Sequence, residues 1–166
     1  MCNVLKITEI KSKTKLTIQL YLDFNWKKAM DTIYTTSAVS VGGRDGHVKN
    51  ADGQIDLDLK TPGSPGDRKG TTPEDLFAAG YSACFNSALN HVMRIKRIKP
   101  SGDTTVKIDI SLGKDPEGNF RLGARIEGHI PGVEPAQARE LMEQAHTVCP
   151  YSRATKGNID AELSIV

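Results

Sequence analysis

Between Leu16 and Phe24 every second residue is apolar, with Leu16, Ile18, Leu20, Leu22 and Phe24 on one side, which is the period of a strand. A break over 25–32 reads as a linker, and a second extended stretch rich in Thr and Val runs from Ile33 to Val41. Gly42-Gly43-Arg44-Asp45-Gly46 is a turn able to take positive φ at several positions. Asp52-Gly53 is another, and it sets off Ile55–Leu59 as a half-buried strand. Together these segments predict an antiparallel meander. Two prolines and three glycines in Thr61–Thr71 exclude a regular element there and predict an exposed loop, the kind that borders sites.

A long helix is predicted next. Thr72 suits its cap, Pro73 its first position, and Glu74 and Asp75 its positive dipole end. From Leu76 to Leu89 nearly every face is small or apolar, so the helix reads as central and buried, with Cys84 inside the protein. Arg94, Lys96, Arg97 and Lys99 close it before Pro100; a solvated last turn explains them without an anion. Alternation at Val106, Ile108, Ile110 and Leu112, and again at Phe120, Leu122, Ala124 and Ile126, predicts a hairpin. Pro135 opens a second amphipathic helix with Ala138, Leu141, Met142 and Ala145 on its apolar stripe, and Pro150 forbids its continuation past Cys149. A last strand is expected over 159–166. The order is that of an α+β fold, with helices packed on antiparallel sheet.

Composition narrows the function. The 166 residues suit one domain with one core, and 22 Lys+Arg against 20 Asp+Glu leave a net charge of only +2. No whole-protein field is present to hold a nucleic acid or an anionic membrane, so neither partner is expected. No apolar run approaches the roughly 20 residues of a membrane helix and the N-terminus lacks signal-peptide blocks, so a cytoplasmic location is expected. Cys2, Cys84 and Cys149 are too few for a disulfide scaffold and contain no CxxC pair, which argues against structural zinc; Cys2 reads as incidental.

A cysteine within a buried helix is ordinarily an inert hydrophobe. Here a carboxylate, Glu74, opens the helix, a glycine-rich turn carries Arg44, and a second cysteine lies where a helix stops at proline. Lowering a thiol pKa from about 8.5 to about 6 takes roughly 3.4 kcal/mol of electrostatic help. Arg44 is a candidate source, and a buried guanidinium needs a carboxylate such as Glu74 to hold it. A Cys–His hydrolase is the rival enzyme, with His91, His129 and His146 as bases. His91 stands seven residues from Cys84, about 10 Å along a helix axis, too far for a hydrogen bond.

Three runs carry a resemblance: Val41–Gly46 (VGGRDG), Thr72–Phe85 (TPEDLFAAGYSACF), and His146–Ser152 (HTVCPYS) followed by Lys156-Gly157-Asn158. They resemble the organic hydroperoxide resistance proteins of the Ohr/OsmC superfamily, from about Ile33 to the C-terminus. The boundaries are then an N-terminal extension, 1–30, and an Ohr/OsmC-like domain, 31–166. The resemblance implies antiparallel sheets packed around two buried central helices in an intertwined homodimer, and a thiol peroxidase without metal or bound cofactor. It implies that Cys84 is the peroxidatic cysteine, Cys149 the resolving one, and Arg44 and Glu74 the pair that activates the thiolate. Reduction by lipoylated proteins, rather than thioredoxin, is also implied. Phe77, Tyr81, Phe85 and Tyr151 are candidates for an apolar pocket suited to alkyl or fatty acid hydroperoxides, and they would serve equally as core packing. Two departures stand out: the loop reads GSPGDRKG in place of a plainer glycine run, and Thr72 stands where Asn is usual. The alternative of another class is a non-catalytic redox-sensing or small-molecule-binding module.

Overall fold

The computed structural model describes residues 30–63 and 70–166; the strand expected over 15–24, with the rest of the N-terminal extension, and the middle of the glycine-rich loop lie outside the described residues. Two sheets are formed. In the first, β1 (Ala38–Val41), β2 (His47–Asn50) and β3 (Asp56–Asp58) make the expected antiparallel meander in sequence order. The strand part of the Ile33–Val41 stretch is short, and Ile33 and Tyr34 before it are exposed. Residues on β1 and β3 face solvent, so the half-buried character expected for 55–59 holds only at Leu59.

Helix α1 (Pro73–Lys96) starts as its sequence dictates. Thr72 Oγ1 accepts the Asp75 N–H at 3.0 Å while Thr72 N–H donates to the Asp75 carboxylate at 2.8 Å, a reciprocal capping box that satisfies two otherwise orphaned donors. The helix ends at Arg97 in the left-handed conformation, φ 57°. One face of α1, carrying Tyr81, Phe85, Ala88, Leu89, Val92 and Met93, is buried, whereas Ala79, Ala83, Ser87 and His91 are open to solvent. Within one chain the helix is therefore buried on one side, not all round.

Strands β4 (Thr105–Lys114) and β5 (Phe120–His129) form the expected hairpin, with Ile108 opposite Ile126. The core lies between α1, helix α2 (Pro135–Val148) and the inner face of this hairpin: Tyr81, Phe85, Leu89, Ile126, Leu141 and Met142 are fully buried there. Pro150 does end α2 but also opens a further helix, α3 (Pro150–Thr155), because a residue without an N–H is well placed at a first helical position. Strand β6 (Ala161–Ile165) then joins β5 in parallel, a departure from the all-antiparallel expectation. A chain that leaves β5 through two helices has crossed back to the end at which β5 began, so its next strand runs the same way. No helix among the described residues is long and apolar enough to cross a membrane.

Candidate active site

Proline 150 explains where the second cysteine sits. A residue preceding proline is pushed out of the α region, and Cys149 is extended (φ −62°, ψ 124°), serving at once as the end of α2 and the start of α3. This break turns its side chain into the protein, where Cys149 has no solvent exposure. Its Sγ lies 3.6 Å from that of Cys84. Both thiols are free, and Cys84 is half-buried, not enclosed as its apolar surroundings in the sequence suggest. It lies on the border of the open face of α1, in a cleft of about 600 Å³ whose walls include Val148, Pro150 and Tyr151.

The first turn of a helix leaves backbone donors unpaired, and one of α3's, the Tyr151 N–H, is hydrogen-bonded to the Cys84 sulfur. Burial pushes the Cys84 thiol up, the Tyr151 amide opposes the rise, and the neighbouring Cys149 adds to it. Within one chain the balance therefore favours neutral thiol, opposite to the lowered value expected from Arg44.

Arg44 and Glu74 do meet. Two parallel bonds, Nη1 to Oε2 at 2.8 Å and Nη2 to Oε1 at 2.5 Å, join guanidinium and carboxylate. The paired Arg44 holds the Glu74 carboxyl below its usual range. Arg44 rides on a single 3-10 turn, Gly43–Asp45, that depends on its glycines: Gly42 has φ 76°, and a Cβ on Gly46 would lie 1.8 Å from the Val41 carbonyl oxygen. Asp45 fastens the turn to the start of the glycine-rich loop by accepting from Thr61 N–H and Oγ1, each at 3.0 Å. Sequence reasoning missed this clamp, although its signal, an acid beside the arginine in GGRDG, was present.

Cys84 and Cys149 are thus brought together, as are Arg44 and Glu74, but the two pairs occupy different depressions. Arg44 and Glu74 border a second hollow with Phe77, Leu112 and Phe120, and neither borders the Cys84 cleft. The aromatic candidates divide likewise. Tyr81 and Phe85 are fully buried and belong to the core, with the Tyr81 hydroxyl bonded to Ser152 Oγ at 3.0 Å. Phe77 stacks on Tyr151 at 6.1 Å on the Arg44 side, so only Tyr151 of the four walls the thiol cleft. Gly80 makes room for it, since a Cβ there would come within 3.3 Å of the Tyr151 hydroxyl. Among the described residues no hydrogen bond joins Cys84 to a histidine: His91 bonds Arg94 and His146 lies against the Phe85 ring.

The OsmC-like protein family matches residues 66–164. "Organic hydroperoxide resistance protein-like 2" of Staphylococcus epidermidis is 45% identical over 138 residues, 81% of this chain and 96% of that protein. The chain belongs to the OsmC-like family, on its Ohr branch. Organic hydroperoxide resistance protein OhrA of Bacillus subtilis is 42% identical over 80% of this OsmC-like chain and 96% of its own. The crystal structure of OhrB from the same species superposes with a TM-score of 0.77 at 38% identity, covering 81% of this chain and all of that one. For an OsmC-like protein, the mixed sheets and the helices packed on them are the expected architecture.

Proposed function

We propose that the chain is a cysteine-based peroxidase that reduces organic hydroperoxides to alcohols and works as a homodimer. The observation that carries the proposal is the 3.6 Å approach of two free thiols, one half-exposed on a cleft and the other fully buried. The names of its relatives, organic hydroperoxide resistance proteins, point to the same substrates. In the proposed cycle the Cys84 thiolate attacks one oxygen of the hydroperoxide, the O–O bond breaks, and the alkoxide leaves and takes a proton to become the alcohol. Cys84 becomes a sulfenic acid. The Cys149 thiol then attacks its sulfur, water departs, and a disulfide forms after roughly 1.5 Å of further approach to bonding distance. A dithiol, of the dihydrolipoyl type, returns both cysteines to thiols and is itself oxidised to a disulfide.

The dimer supplies what a single chain lacks. Thiolate formation needs a cation, and Arg44 stands apart from the Cys84 of its own chain. A second copy, with its α1 antiparallel to the first, would bring its own Arg44–Glu74 pair to the cleft. The small-residue open face of α1 and the exposed apolar residues of the first sheet suit such burial. Steady-state turnover of cumene, fatty acid and hydrogen peroxides, each with dihydrolipoamide or with thioredoxin, tests the reading. Fast turnover of the organic substrates with the lipoyl dithiol is expected. Reversible Cys84–Cys149 disulfide formation without turnover would instead make the chain a redox sensor.

A further inference from the structure

The cleft at Cys84 does not end at the thiol. Cys84, Ala88 and His91, at spacings of four and three, share one face of α1 and all border it, so the cleft runs along the helix for about 10 Å from sulfur to imidazole. Between these ends the wall is apolar, with Ala88 from α1 and Val148 from the end of α2. At the far end the chemistry changes. An Arg94 guanidinium nitrogen lies 3.0 Å from His91 Nδ1, and since arginine can only donate, His91 must accept at Nδ1 and carry its proton on Nε2. His91 thereby offers an N–H donor backed by a permanent cation, and both side chains are exposed. Packing explains neither residue: a helix that only needed to close would not set a donor–cation pair at the end of an apolar cleft that begins at a thiol.

We infer that His91 and Arg94 form a carboxylate subsite that selects hydroperoxides carrying an acid about eight carbons from the peroxide, a length that fits the 10 Å span. The inference rests on the peroxidase reading for its reactive end, but the anionic end can be tested separately. Neither residue touches the reacting atoms; their effect is on which substrate is held and in what register.

The test compares a mid-chain hydroperoxide of a long-chain fatty acid, its methyl ester and cumene hydroperoxide, on the intact protein and on His91→Leu and Arg94→Gln. The wild-type protein should prefer the acid to the ester about tenfold in kcat/KM, the scale of one charge-assisted hydrogen bond. His91→Leu should reduce that preference to near unity while leaving cumene hydroperoxide turnover unchanged, and Arg94→Gln should reduce it in part. A second readout uses the unreactive hydroxy fatty acid and its ester, titrated onto Cys84→Ser protein, where the same preference and the same loss on adding His91→Leu are expected. Equal acid and ester affinities in both readouts would overturn the subsite, as would a His91→Leu variant slowed equally on cumene hydroperoxide. If no hydroperoxide is turned over but the acid is still bound in preference through His91, the peroxidase reading fails and the subsite stands.

Discussion

The half of the chain that holds the cysteines and the half that holds the arginine are built on opposite terms. Around Cys149, α1, α2 and the β4–β5 hairpin close a core in which Leu89, Ile126 and Leu141 are almost wholly out of water. The first sheet has no such layer: Val39 is 68% and Val41 69% exposed, and the turn it carries is held by Asp45, Thr61 and Glu74. Burying apolar area is worth roughly 25 cal/mol per Å², so an all-exposed Val strand leaves stabilisation unused unless something covers it. The cysteine half is complete within one chain; the arginine half is made for a second one. Activity that needs both halves then becomes a property of the assembly.

The sharpest break of this comparison is at the thiols. Cys84→Ser should abolish hydroperoxide reduction altogether. Cys149→Ser should react once and then accumulate sulfenic or overoxidised Cys84, measurable as a single-turnover burst and by mass spectrometry. Retained turnover in Cys84→Ser would remove the chemistry from this half of the molecule.

Arg44→Ala is the corresponding cut in the other half. It should slow peroxide reduction roughly 10²-fold, the scale of losing one preorganised donor, and raise the Cys84 pKa read by thiolate absorbance. Glu74→Ala should act in the same direction by releasing Arg44. Arg44→Lys should recover only part, because an ammonium cannot reproduce the two-bond fork. Refolding Cys84→Ser together with Arg44→Ala should restore activity that neither shows alone, since mixed dimers would contain one site with both residues. No restoration, with mixed dimers demonstrated, would mean each chain activates its own thiol.

What each half needs for stability differs too. Leu89→Ala, which opens a cavity in the closed core, should cost about 2–5 kcal/mol in denaturant unfolding. Val39→Asp with Val41→Asp should leave the helices folded by circular dichroism but shift the protein toward monomer in analytical ultracentrifugation. A dimer that withstands both aspartates would show that the first sheet is not what the partner covers.

The same contrast decides what was legible in the sequence. Signals carried by local backbone chemistry were readable: Thr72 with Asp75 marks the start of α1, the glycines around Arg44 mark its turn, and Pro150 fixes the break at Cys149. Signals that depend on which way a helix faces were not. Between Leu76 and Leu89 the residues are apolar on all sides, so the pattern has no phase, and it could not tell that Tyr81 and Phe85 point into the core while Cys84 stands at its border. Nor does strand alternation record direction, which is why the parallel pairing of β6 was invisible until its crossover was seen. The separation of Arg44 from Cys84 is the largest such gap, because it depends on how two sheets sit and on a surface that one chain leaves uncovered.

The smallest expected effect belongs to the first sheet alone, and it concerns how a sheet without a core holds its strands. His47 on β2 is clamped by β3: Nδ1 lies 2.9 Å from Asp58 and Nε2 2.7 Å from Asp56, while Lys49 reaches Asp56 at 2.6 Å. Both ring nitrogens face carboxylates, an arrangement satisfied only when both carry protons. The His47 pKa is accordingly raised, by Asp58 first and Asp56 second, and that of Asp56 is lowered, by Lys49 first and His47 second. Stabilisation from His47 is then fully present below its unfolded value of about 6.5 and is lost as pH rises through the raised folded value. That from Asp56 is present above about 3.9 and is lost as pH falls through the depressed one. Both contribute together between about pH 4 and pH 6.5. These groups are exposed, so the gain is modest and screened by salt. Melting curves of wild type and His47→Gln should differ most in that window, converge toward alkaline pH, and converge at every pH in high salt. A difference that persists unchanged well above neutrality would mean that His47 holds the sheet by packing and not by charge.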